Sequence, residues 1–414
     1  MRHIIGLCLT GLFLSSALLF AEPPKFRTDA DGPVTGDEKR KTPKDRKPED
    51  KPDWLQLVEG QFPPEGSAHA VTGELIQVDH LERRFQIRVD RNDSQQRGVW
   101  DLPLDATMLP YGYIWYQGAP AALQDIPLGT HLHGLFYLSN PNDQTPLPDT
   151  SNKRKTPEWE FRRCFRIEDD FSFHARQKQL WKIDSVDFDA KKLTATLQEN
   201  GQPNGQPKIF DLLTSTRVMQ CNGFVDLKAL QPGQTVLFNL TWATLYGPGR
   251  ITDIWIDETA RAWLTANQLE RHRNHIRQHG LPGWVNAVDD DAQIVTITFF
   301  GGVDAALLEE LTHTNSIPIG WPLSKEPENQ SAPKGTIAVA RESLMTYDPI
   351  NDRKGGNILD IKQILIEPGS SGVQIRVKCD MLLEGYRPRR IVRFYPATWK
   401  VLALPKEEEF HGRE

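Results

Sequence analysis

The chain has 414 residues, with 49 basic and 55 acidic side chains, a formal charge of −6 and 38% apolar residues. Beyond Pro52 the balance is 39 basic to 47 acidic, which excludes a folded part that grips nucleic acid along a basic stripe. Of the four cysteines only Cys164, Cys221 and Cys379 lie beyond the N-terminal apolar segment. That number cannot build a disulfide framework, so folding must rest on apolar burial.

In chain order, the first two segments concern address rather than fold. Arg2 and His3 precede an uncharged stretch from Ile4 to Phe20, and Ala21 gives way to Glu22-Pro23-Pro24, the shape of a secretory signal over residues 1–21. Gly6, Thr10, Gly11, Ser15 and Ser16 interrupt that stretch, which is short for crossing about 30 Å of hydrocarbon. The expectation is cleavage near Ala21 and an exported protein of the periplasm, cell envelope or extracellular space, with no transmembrane segment left. Residues 22–65 then read as a charged, Pro-rich linker. Glu38 to Lys51 holds seven basic and four acidic side chains with two prolines, a composition with too little apolar surface to offset the entropy of ordering.

Period-two alternation bounded by Gly, Pro and Asx turns predicts strands from there on. A first unit spans 66–175, with strands at Gly73–Val78, Phe85–Val89, Gly98–Leu102, Thr130–Leu138 and Phe161–Ile167. A second spans 176–257, with strands at Leu180–Val186, Leu193–Leu197, Lys208–Leu212, Thr235–Trp242 and Arg250–Ile256. A helix over 258–280 follows, because Asp257 can cap it, Thr259 to Gln278 contain no Gly or Pro, and Gly280 with Pro282 stops it. The third unit, 281–405, carries an insertion with a short helix over Asp304 to Leu311. A charged tail at 406–414 ends the chain.

One pattern opens all three units. Leu75-Ile76-Gln77-Val78-Asp79, Ile183-Asp184-Ser185-Val186-Asp187 and Val285-Asn286-Ala287-Val288-Asp289 each lead six residues on to an alternating apolar strand, and the aspartates are spaced by 108 and 102 residues. The fourth strand of each unit starts after a glycine, at Gly129, Gly233 and Gly372. The order apolar-x-x-Val-Asp, alternating strand, threonine, Leu-x-x-x-Gly, alternating strand, Arg-x-x-x-Ile resembles the small OB-like β-barrel repeats of unassigned function found in exported bacterial proteins. The resemblance covers units one and two and the ends of unit three. It implies an all-β chain of three tandem small OB-like barrels, five short strands each, with one helix between the second and third, and it brings no catalytic residues with it.

Three constellations are candidates for chemistry. Tyr111, Tyr113, Trp115 and Tyr116 fall in the long connection before Leu123 and could stack on an extended polymer, as OB-like barrels do; they could equally fold over the barrel mouth as core. His131 and His133 alternate on one strand, so their rings share a face and could chelate a divalent transition metal. Comparison with the sister units puts that face outside the barrel or across to its neighbour, where the expectation is exposed histidines. His272, His275 and His279 share one face of the helix at spacings that suit a metal, but Arg271, Arg273 and Arg277 flank them.

The acidic runs Glu168-Asp169-Asp170 and Asp289-Asp290-Asp291 could ligate calcium or pair for acid–base work, whereas a turn role explains Asp79, Asp187 and Asp289 together. Whether Cys164 and Cys221 are bridged stays open, and Cys379 reads as a buried free thiol. The resulting expectation is an exported, noncatalytic binding or scaffolding protein that recognises an envelope polymer or a partner protein, with no cofactor. The alternative is a secreted metal-dependent hydrolase that uses His131 and His133 or the helix histidines.

Overall fold

The computed structural model describes Phe62 and residues 68–90, 103–138, 159–241, 249–313, 334–346 and 353–399. The signal, the linker apart from Phe62, the strand expected at Gly98–Leu102 and the tail lie outside the described residues. The described chain is three tandem β-barrels with helices between and within them.

Barrel 1 is built from β1 (His69–Asp79), β2 (Arg84–Val89), β3 (Leu104–Tyr116), a short β4 (Ala119–Pro120), β5 (His131–Leu138) and β6 (Trp159–Asp169). Its ring runs β1-β2-β3-β6-β5 and back to β1, antiparallel except between β3 and β6. After α1 (Asp170–Arg176), barrel 2 repeats this plan with β7 (Gln179–Asp187), β8 (Lys192–Glu199), β9 (Gln202–Pro203), β10 (Lys208–Gln220), β11 (Gly223–Val225), β12 (Thr235–Thr241) and β13 (Arg250–Trp255). The ring β7-β8-β10-β13-β12 again has one parallel contact, between β10 and β13. Closure of each ring hides the sheet edges that five short strands would otherwise expose.

The recurring Val-Asp pattern encodes the same bulged hairpin in each barrel. Pairing skips a residue between Leu75 and Gln77, between Ile183 and Ser185, and between Val285 and Ala287. Each aspartate then closes its turn: Asp79, Asp187 and Asp289 accept from the backbone N–H of Glu82, Ala190 and Ala292 at 3.1, 2.8 and 2.9 Å. Arg83, Lys191 and Gln293 take the left-handed conformation that ends the turn, with φ of 50°, 52° and 56°.

The third strand of barrel 2, Lys208–Gln220, runs well beyond the expected Lys208–Leu212. In barrel 1 the third strand covers Leu104–Tyr116, so the four aromatics from Tyr111 to Tyr116 lie on a strand and not in a loop. Pro110 and Gly112 sit where the strand leaves β2 and crosses to β6, a stretch in which the register shifts between Met108 and Tyr113.

The helix α2 (Glu258–His279) leads to barrel 3. Asp257 caps it through Ala260 N–H at 2.6 Å, and Gly280 with φ of 81° ends it. Barrel 3 comprises β14 (Leu281–Asp289), β15 (Ile294–Phe300), β16 (Lys334–Ala340), β17 (Arg353–Gln363), β18 (Ser370–Cys379) and β19 (Ile391–Pro396), with α3 (Ala305–His313) after β15. It closes as β14-β15-β18-β17-β16-β19, six strands and every contact antiparallel.

The extra strand changes which element answers the fourth strand of the other barrels. Gly129 N–H and Gly233 N–H donate to the bulge-side carbonyls of Leu75 and Ile183, each at 2.7 Å, but the carbonyl of Val285 accepts from Arg389 at 2.8 Å. Arg389 has φ of 72° and leads into β19. The equivalence of Gly372 with Gly129 and Gly233 therefore fails, because barrel 3 inserts β16 and β17 where the others use one strand.

Each barrel has its own apolar interior, and two further clusters join them. Tyr111, Tyr137 and Phe165 of barrel 1 pack with Trp284, Phe300, Ala340 and Ile391 of barrel 3. Phe171 of α1 packs with Met219, Leu237 and Trp255 of barrel 2 and with Ala260 and Leu264 of α2. Cys164, Cys221 and Cys379 are all free thiols, Cys379 being buried. No helix among the described residues is long and apolar enough to cross a membrane.

Candidate functional site

Two imidazole clusters lie at seams between barrels. The first is at the seam of barrels 1 and 2. On β5 the side chain of Leu132 fills the barrel interior, so His131 and His133, one residue to either side, point out of it. The face they share is covered by α1 and barrel 2, which leaves His131 only 4% exposed. The expectation of exposed strand histidines is thus corrected for His131, and His133 is half-buried.

The acidic run at the β6–α1 junction supplies the partners. Asp169 caps α1 by accepting from Ser172 N–H at 3.0 Å, and it reaches barrel 2 through Asn239 Nδ2 at 2.8 Å. Burial pushes its carboxyl up to about 6. Asp170 Oδ1 accepts from His131 Nδ1 at 2.7 Å and from His133 Nε2 at 2.9 Å, while Oδ2 accepts from the backbone N–H of Leu240 in β12 at 2.9 Å. His131 Nε2 is held by Asp90 Oδ2 at 2.7 Å, and the Thr72 hydroxyl donates to the same oxygen at 3.0 Å.

Burial opposes charge on both central groups, but the carboxylates of Asp170 and Asp90 hold His131 well above the usual imidazole range. In turn the His131 charge and the hydrogen bonds from both rings hold Asp170 well below the carboxylate range. His133 stacks on Phe173 of α1 with ring centroids 3.7 Å apart and planes within 6°. Among the described residues, His131, His133 and Asp170 are the group whose donor atoms all lie within 4.8 Å of one another.

The second cluster is at the meeting of barrel 1, α2 and barrel 3. There a half-open cleft of about 100 Å³ is lined by His272, His275 and His279, by Arg83 of the first hairpin and Arg393 of β19, and by Tyr113, with His80 also on its wall. Among the described residues its lining holds no aspartate or glutamate. Arg83 spends its guanidinium on backbone carbonyls, donating from Nη1 to Leu109 and Pro110 at 3.0 Å each and from Nη2 to Gly112 at 2.6 Å. Arg393 donates to the carbonyls of Leu344 and Gly280 at 2.9 Å each.

Burial pushes His272 down to about 4, and its Nε2 accepts from the backbone N–H of Asp304 at 3.3 Å. Burial together with the His279, Arg393, His272 and Arg83 charges drives His275 well below the imidazole range. Burial and the neighbouring Arg393 lower even the Arg83 guanidinium, to about 9. His279 donates from Nδ1 to the carbonyl of His275 at 2.8 Å, and the two rings stack at 4.1 Å. The three helix histidines share one cleft, but among the described residues they do not belong to a group of three or more donors within 4.8 Å of one another.

Of the aromatic quartet, only Tyr113 lines this cleft. Tyr111 is spent between barrels 1 and 3, edge-on to Trp284 at 5.7 Å and Phe300 at 6.4 Å. Tyr116 is buried in barrel 1 and Trp115 is half-buried beside β4. The four side chains are thus divided among the cleft, the seam of barrels 1 and 3 and barrel 1. Sequence reasoning missed Arg83, Arg393 and Asp90 altogether. The left-handed hairpin position that Arg83 shares with Lys191 and Gln293 was the available signal, since only barrel 1 puts an arginine there.

No family model matches the chain, and no curated protein matches it. Among solved structures, the chain is similar to a tryptophan-to-alanine variant of CusF from Escherichia coli with Cu(II), at 15% identity over 19% of this chain and 90% of that one, with a TM-score of 0.14. A likeness this slight assigns neither fold nor ligand to the present protein.

Proposed function

We propose that the chain is an exported, noncatalytic binding protein of the cell envelope, and that it holds an anionic group of an envelope polymer or partner in the cleft between barrel 1, α2 and barrel 3. One observation supports this above the others: a protein with net charge −6 lines this cleft with two arginines and four histidines and, among the described residues, no carboxylate. The net charge alone favours a neutral glycan. The local charge reverses that preference, since a phosphate, sulfate or carboxylate group is what this lining lacks.

Burial lowers Arg83, His272 and His275, and repulsion from Arg393 adds to it at Arg83 and at His275; an anion in the cleft would oppose both effects. Arg83 is also fixed in place, because three carbonyl contacts hold its guanidinium. Held in this way it adds a fixed positive charge to the cleft. The reading includes no catalysis: among the described residues of the cleft, no nucleophile has a base and orienting group arrayed behind it.

The test is sedimentation of tag-free protein with phosphate-bearing and with uncharged envelope polymers. Retention on the charged polymer alone, weakened by added salt, is expected. Equal retention on both, or turnover of a glycan or ester panel that a single cleft substitution abolishes, would overturn the reading.

A further inference from the structure

From the convergence of His131 Nδ1, His133 Nε2 and Asp170 Oδ1 at the seam of barrels 1 and 2, we infer a binding site for one divalent transition ion of the zinc class. This site is separate from the anion cleft and goes beyond it.

The spacing is nearly that of a coordination shell. Zinc bonds of about 2.0–2.1 Å in a tetrahedron put neighbouring ligand atoms about 3.3 Å apart. The two ring nitrogens stand 2.7 and 2.9 Å from the same carboxylate oxygen, so a rearrangement of about half an ångström opens the shell.

Each ligand is braced from behind. Asp90 holds the far nitrogen of His131, the N–H of Leu240 holds the far oxygen of Asp170, and Phe173 holds the plane of His133. A carboxylate behind a ligating imidazole fixes its tautomer and raises its basicity. Charge also balances, because with both rings neutral Asp90 and Asp170 bring two negative charges to a divalent ion. Three protein ligands leave a fourth position for water or an exogenous donor, on the side where His133 is 17% exposed. The helix histidines provide the contrast, three imidazoles with arginines facing them and, among the described residues, no carboxylate in the lining.

The experiment uses the full chain expressed without an affinity tag, stripped with chelator and dialysed against zinc. Elemental analysis is expected to find one zinc per chain. Cobalt in its place is expected to give the visible absorption of a low-coordinate nitrogen–oxygen site. His133→Gln is expected to abolish the cobalt spectrum. Asp90→Asn is expected to weaken zinc binding by about tenfold to a hundredfold, with circular dichroism checking that each variant is folded. A triple His272→Gln, His275→Gln, His279→Gln variant is expected to keep both zinc and spectrum. Absence of zinc and of cobalt absorption in folded wild-type protein would overturn the inference and leave a polar joint only. Zinc that survives His133→Gln, or that is lost with the α2 triple variant, would also overturn it.

Discussion

Two seams of this molecule each gather imidazoles, and they differ in what the second element brings. At the seam of barrels 1 and 2, α1 and the end of β2 deliver Asp170 and Asp90 to His131 and His133. At the seam of barrels 1 and 3, the first hairpin and β19 deliver Arg83 and Arg393 to His272, His275 and His279. His131 and His272 are equally buried, yet the first is held well above its usual range and the second well below it. Burial lowers both; at His131 the carboxylates of Asp170 and Asp90 outweigh it, whereas at His272 burial prevails over the one carboxylate that opposes it, Asp304.

The contrast can be broken most forcefully at Asp170. Asp170→Ala removes the acceptor of both rings and of Leu240 N–H, and should cost about 3–5 kcal/mol, read from the urea midpoint of the whole chain. Acid should act on the other seam. His272 holds a folded value of about 4 against 6.5 unfolded, so between these the unfolded chain binds more protons, and stability falls as pH drops through that window. The groups facing His272 are Asp304 and Arg273, with His275 beyond. The loss should be at most about 3 kcal/mol, and His272→Gln should flatten the pH dependence of the urea midpoint between those values.

A smaller effect separates binding from folding. Arg83→Met should weaken sulfate binding by about tenfold, or about 1.4 kcal/mol, with Arg83→Lys recovering part of it; an unchanged affinity in a calorimetric titration would remove the guanidinium from the account. Least of all should be Arg341→Ala. Its partly exposed ion pair with Glu82, at 2.9 Å, ties barrel 3 to barrel 1, and its loss should shift the thermal midpoint by the equivalent of less than about 1 kcal/mol.

How much of this is legible in the sequence depends on distance along the chain. The three hairpins are legible because a bulge and an Asx turn need particular residues within a dozen positions, and α2 because its cap, its stop and its interior are contiguous. The second half of β3 is hidden by Pro110 and Gly112, which look like a loop unless the strand's change of partner is known. The strand of barrel 3 that answers the fourth strand of the others, β19, is hidden because Arg389 fills the left-handed position that glycine marks in the other barrels. The pairing of His131 and His133 on one face follows from alternation, but Asp170 and Asp90 lie 39 and 41 residues from His131. Only the closed barrel and its neighbour bring them together.

The most direct test of the account is the affinity for sulfate, a dianion throughout the range, measured by calorimetry at about pH 7.5 and about pH 5.5 on the wild-type chain. If the cleft is an anion site, binding couples to protonation of His272 and His275, and affinity rises as pH falls. Affinity that is undetectable at both pH values, or that weakens in acid, would contradict it.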